Sequence, residues 1–74
     1  MGYVDLFSLE KIDGDFVDIN IHAITSIHET LDSTGDAIFE ICLSSGEKYC
    51  ISKRTYSYLK KNVLPKYSIY RFTY

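Results

Sequence analysis

The sequence predicts a mainly β, α+β domain: a small curled antiparallel sheet or partial barrel of five to six strands, closed by one helix near residues 53-63. Three observations carry this. Apolar residues recur at every second position, as in Val17, Ile19 and Ile21 and again in Ala37, Phe39, Ile41 and Leu43. The turn clusters Asp13-Gly14, Ser33-Thr34-Gly35-Asp36 and Ser44-Ser45-Gly46-Glu47 cut these stretches at strand-length intervals. A single segment, 53–63, carries helical spacing and ends before a proline.

Residues 3–9 (Tyr-Val-Asp-Leu-Phe-Ser-Leu) read as a strand, and Asp13-Gly14 supplies the positive-φ position of a hairpin turn near residues 11–14. The second strand, 15–21, sets Val17, Ile19 and Ile21 against Asp18 and Asn20, which is one dry and one wet face. Residues 20–32 support two patterns. Ile21, Ile24, Ile27 and Leu31 have nearly helical spacing, but β-branched Ile24, Thr25, Ile27 and Thr30 favour extended backbone. The reading taken is a short turn at 20–23 followed by a strand. After the next turn, Ala37, Phe39, Ile41 and Leu43 share one side of a strand, and the return strand 48–52 places Tyr49 and Ile51 on one face.

Keeping those faces together predicts a register that pairs Leu43 with Tyr49 and Ile41 with Ile51, which sets Cys42 opposite Cys50 at a spacing that accepts a disulfide under oxidation. In the helix, Ser52 is the expected cap, Tyr56, Leu59 and Val63 form the apolar stripe, and Pro65 blocks continuation. The tail, Tyr67 to Tyr74, alternates like a late strand whose unpaired aromatic edge invites strand addition, including homodimer formation.

Composition limits what such a chain does. Its 74 residues make one small domain, 46% hydrophobic and 24% charged. At this length about 60–65% of the unfolded surface is buried, so a large sequestered active-site cavity competes with the core for apolar side chains. No apolar run reaches the roughly 18 residues of a membrane span, and Met1 to Asp5 lack a secretory layout, so the cytoplasm is the expected compartment. Two cysteines are too few for a disulfide scaffold.

Charge is divided along the chain. Residues 1–47 hold all ten acids and a single base, Lys11, while residues 48–74 hold no acid and the other seven bases. Such a division marks either a macromolecular contact surface or a fold whose halves neutralise one another. Asp13, Asp15 and Asp18 form the candidate acidic docking face. Lys53 and Arg54 fall in the first helical turn, where the macrodipole is already positive, so this helix start suits an anion or a partner carboxylate unless Asp15 or Asp18 pairs with it. Six of the seven tyrosines lie among the bases. With Tyr49 and Tyr56 on core faces, Tyr58, Tyr67 and Tyr70 or Tyr74 are the surface candidates, and Lys53, Arg54, Tyr58, Lys60, Lys61, Tyr67 and Arg71 make up the expected partner or anion surface.

No catalytic constellation is present. The chain lacks a glycine-rich phosphate loop, a His-Glu-x-x-His pair and a nucleophile elbow. His22, His28, Cys42 and Cys50 make a two-sulfur, two-nitrogen set in principle, but their spacings match no chelating knuckle, so no metal and no cofactor is expected.

Two family patterns are met along this stretch. Ile19-Asn20-Ile21, Ile24, Ile27, Leu43, Gly46 and Ile51-Ser52-Lys53-Arg54 leading into Leu59-Lys60-Lys61 resemble the carboxyl-terminal half of LytTR DNA-binding domains. That resemblance implies DNA contact through Arg54 and its neighbours. Asp13-Gly14, Val17, Ile19-Asn20, Ile24, Ile27, Glu29, Leu43, Gly46, Lys48-Tyr49 and Ile51 are also similar to small FlbD-type flagellar proteins, which implies a cytoplasmic accessory protein working through protein contacts. The leading expectation is a non-enzymatic module that regulates or inhibits a larger assembly through a macromolecular protein partner, as small phage-encoded inhibitors do. The alternative is a nucleic-acid-binding transcription regulator using the basic, tyrosine-rich half. No membrane contact is expected.

Overall fold

Three hairpin turns of one kind set the strand pairing. The computed structural model describes residues 4–67, and in it each loop has three residues ending in glycine. Gly14 N donates to Lys11 O at 3.0 Å while Lys11 N donates to Asp15 O at 2.8 Å; Gly35 and Asp32 repeat this with Asp32 and Asp36, and Gly46 and Leu43 with Leu43 and Glu47. The glycine closes the loop as a bulge residue, a role that needs φ above zero, and Gly46 has φ 94.

These turns join β1 (Leu6–Glu10) to β2 (Phe16–Asn20), β3 (Ile24–Leu31) to β4 (Ala37–Leu43), and β4 to β5 (Lys48–Ser52). The result is two antiparallel sheets, β1-β2 and β3-β4-β5. A 3-10 turn, Ile21–Ala23, links them and is capped by Asn20, whose Oδ1 accepts from His22 N at 3.2 Å. The expected turn at 20–23 and the strand after it are both found. The mainly β, α+β fold with one helix is as expected; among the described residues its five strands lie in two antiparallel sheets, and no barrel closes. Among the described residues, the tip of the first hairpin meets β5 through one backbone bond, Ile12 N to Cys50 O at 3.0 Å, rather than through a ladder.

The β4–β5 register corrects the sequence expectation. Ile41 pairs with Tyr49 and Phe39 with Ile51, two residues away from the pairing expected. The expected register needs a five-residue loop over 44–48, but the positive φ of Gly46 lets three residues complete the turn. A two-residue shift preserves the faces, so the core pattern survives. It does separate the cysteines. Cys42 lies opposite Lys48 and Cys50 opposite Glu40; such diagonal positions stand about 7–8 Å apart at Cα, past ordinary disulfide reach. Both thiols are free.

The helix forms where expected. Ser52, with φ −74 and ψ 162, accepts from Thr55 N at 3.2 Å and starts α1 (Lys53–Tyr58). The chain continues as a π turn over Leu59–Val63, closed by Leu64 N to Leu59 O at 2.9 Å. That wider turn lets adjacent Val63 and Leu64 both reach the core before Pro65 opens a 3-10 turn, Pro65–Tyr67. The tail-strand expectation, with Tyr70, Arg71 and Tyr74, lies outside the described residues.

Neither sheet is large enough to stand alone, and one core joins both to the helix. Leu9 and Ile19 come from the hairpin, Ile27, Ile41 and Ile51 from the larger sheet, and Tyr56, Leu59, Val63 and Leu64 from the helical end. The Tyr56 ring lies parallel to Phe39, with centroids 3.9 Å apart. No buried side-chain polar atom among the described residues lacks a partner.

Candidate functional site

Alternation on the first hairpin turns Phe7, Leu9, Val17 and Ile19 toward the core. It turns Leu6, Ser8 and Glu10 outward beside Asn20, Asp18 and Phe16, their register partners. Phe16 is therefore an aromatic on the wet face, 65% exposed. On α1, Arg54 and Tyr58 are four residues apart and so share one side of the helix. That side meets the hairpin across a groove of about 320 Å³, lined by Phe7, Glu10, Phe16, Arg54, Thr55 and Tyr58 among others. Three aromatic rings, Phe7, Phe16 and Tyr58, and one charged pair, Glu10 and Arg54, are among its lining.

The charged pair is loose. Arg54 Nη2 stands 3.9 Å from Glu10 Oε1, with the arginine side chain 87% exposed. A contact of this kind contributes little and leaves the guanidinium available to a third group. It is also the one ion pair between described residues that joins the acidic half to the basic half. Lys11 pairs within the acidic half, with Asp13 at 3.9 Å. The expected partners Asp15 and Asp18 do not take that position.

The structure thus brings together Arg54 and Tyr58 and leaves the other expected residues elsewhere. Lys53 is exposed at the first position of α1, and Lys60 and Lys61 lie on the π turn. Tyr67 packs partly against the core, edge-on to His22 with centroids 5.7 Å apart, so it is less of a surface residue than expected. Arg71 lies outside the described residues. Asp13 works locally: its Oδ1 accepts from Asp15 N at 3.0 Å in the hairpin turn. Asp18 projects from the outer face of β2 opposite Ser8. Phe7, Glu10 and Phe16 escaped the sequence reading. Extending the β2 alternation back one position, to Phe16 in phase with Asp18, is the signal that finds the exposed ring.

The histidine and cysteine set also comes apart. His22 Nε2 lies 2.6 Å from Asp5 Oδ2, and Asn20 Oδ1 accepts from Asp5 N at 3.2 Å, which ties the chain before β1 to the turn after β2. His28 sits on the larger sheet, its Nε2 2.9 Å from Oε1 of Glu40. There the donor atoms of His28, Glu40 and Cys42 lie within 4.8 Å of one another. Two titrations respond to local bonds. The Thr34 hydroxyl donating to Asp32 holds that carboxyl below its usual range, and the Tyr49 hydroxyl bonded to Glu47 is pushed up.

No described helix is long and apolar enough to cross a membrane. No known protein family, no curated protein and no solved structure matches the chain.

Proposed function

We propose that this chain is a non-enzymatic binding module, cytoplasmic in setting, that regulates or inhibits a larger assembly by protein–protein contact. The carrying observation is the groove between the β1–β2 hairpin and α1. Exposed aromatics beside an arginine are the residue types that dominate protein hot spots. Phe16 and Tyr58, 65% and 55% exposed, line the groove together with Arg54. Its occupant is a partner segment that inserts an apolar side chain between the rings and offers polar groups to the Glu10–Arg54 pair. A carboxylate 3.9 Å from the guanidinium favours such a segment over a phosphate backbone, which Glu10 repels.

Nucleic-acid binding is the second reading, supported by Lys53 and Lys61, which are exposed and make no ion pair among the described residues. Two measurements separate the readings. Copurification of a stoichiometric protein that is lost in Phe16→Ser and in Tyr58→Ala, with fold intact by circular dichroism, is the expected result. Retention on nucleic acid at low salt, falling steeply as salt rises with a slope reduced in Arg54→Ala, would overturn it in favour of the second reading.

A further inference from the structure

The outward face of the larger sheet carries a second cluster, independent of the groove. Reading across its register, His28, Glu40 and Cys50 form one row, and Ser26, Cys42 and Lys48 form the next. Within this grid the ring nitrogen of His28, a carboxylate oxygen of Glu40 and the sulfur of Cys42 all lie within 4.8 Å of one another. Glu40 and Cys42 are half-buried and His28 is exposed. We propose that His28, Glu40 and Cys42 form a binding site for a zinc ion.

The donor set selects the metal. A thiolate, an imidazole and a carboxylate together suit zinc, whereas calcium and magnesium require oxygen alone. Zinc bonds of about 2.0–2.3 Å in a tetrahedron bring ligand atoms to within roughly 3.3–3.7 Å of one another. From 4.8 Å, closure takes about 1 Å of side-chain rotation around the ion. The backbone needs no rearrangement, because the three residues stand on two neighbouring strands in fixed register, His28 opposite Glu40 and Cys42 two positions along the same face. This is also why the spacing in sequence matches no knuckle: the site is made by strand pairing, not by a loop.

The exchange is simple. Zinc replaces the His28–Glu40 contact of 2.9 Å: the hydrogen that Nε2 donates to the carboxylate is given up to solvent while the ring carries one on Nδ1 instead, and the freed Nε2 lone pair and a carboxylate oxygen bind the ion. The Cys42 thiol gives its proton to solvent as the zinc–sulfur bond forms, and the two anionic ligands neutralise the ion. Three protein ligands leave the fourth position to water. Cys50 lies on the far side of Glu40, on β5, and is not part of the set.

Titration of zinc chloride into the reduced, metal-free protein tests this, followed by calorimetry, with cobalt as a spectroscopic substitute. The expected result is one ion per chain, about one proton released on binding near neutral pH, and a thiolate-to-cobalt charge-transfer band. Cys42→Ser removes the band. His28→Gln weakens binding by at least about tenfold, the cost of losing even an outer partner of a metal ligand. Cys50→Ser leaves both intact. All three positions are on a surface face, so circular dichroism is expected to be unchanged. Absence of one-to-one uptake, a band that survives Cys42→Ser, or equal loss in Cys50→Ser overturns the proposal.

Discussion

The β1–β2 hairpin and the β3-β4-β5 sheet share an antiparallel plan and the same glycine-closed turn, yet they use apolar residues differently. In β4, Phe39, Ile41 and Leu43 all face the core and are at most 8% exposed. In the hairpin, Leu9 and Ile19 are buried while Leu6 and Phe16 face outward, 66% and 65% exposed. The larger sheet is the scaffold, and the hairpin is a thin flap with a core face and an exposed face that carries apolar side chains. Leu31 on β3 is exposed too, at 64%, but Leu6 and Phe16 stand on the same outward face of one hairpin, and Phe16 lines the groove.

The largest expected difference between the two regions is energetic. Ile41→Ala, at a fully buried site in the central strand, is expected to cost about 2–5 kcal/mol, enough to unfold much of the population at ambient temperature. Phe16→Ser on the flap is expected to change stability by about 0.5 kcal/mol or less. Urea denaturation of both variants makes the comparison, and equal losses would erase the distinction between scaffold and flap.

A smaller effect tests whether the helix belongs with the scaffold. Ser52→Ala removes the bond to Thr55 N and is expected to cost about 1 kcal/mol, read in the same denaturation experiment. A fourth variant addresses the one backbone tie between flap and sheet among the described residues. Ile12→Pro suits the first loop position of the turn but removes the N–H that donates to Cys50 O. Its expected cost is about 0.5–1 kcal/mol, seen as faster amide hydrogen exchange in β1 and β2 with β3 and β4 unchanged. Acceleration of both sheets together would show that they open as one unit.

The smallest effect is a titration in the scaffold's first turn. Folding lowers the Asp32 pKa, chiefly through the Thr34 hydroxyl, so the folded state favours the ionised carboxylate. Its contribution is complete above the unfolded value near 4 and is lost as pH falls through the folded one. Amide shifts of Thr34 and Asp36, whose N–H groups both donate to Asp32 Oδ1 at 2.9 Å, are expected to follow that titration. In Asp32→Asn the pH response disappears.

Local chemistry was readable in the sequence and long-range placement was not. Ser52, the Tyr56, Leu59 and Val63 stripe and Pro65 act within a turn or two of one another, so spacing alone located the helix. The strand faces were equally legible, because alternation survives any even shift of register. The register itself depends on the conformation of Gly46, and an error of two residues there misplaced Cys42 relative to Cys50. The groove was hidden for a related reason: Glu10 and Arg54 are distant in sequence and meet only when the hairpin folds back on α1. His28 and Cys42 likewise become neighbours through pairing, which spacing does not report.

The parallel rings of Phe39 and Tyr56 give this chain an optical gauge of its own. With no tryptophan present, near-ultraviolet circular dichroism is dominated by tyrosines held in asymmetric surroundings. The one pressed face to face against a scaffold phenylalanine belongs to α1. Undocking of that helix would therefore dim the aromatic signal ahead of the amide signal, and the protein would announce its own loosening without any attached dye.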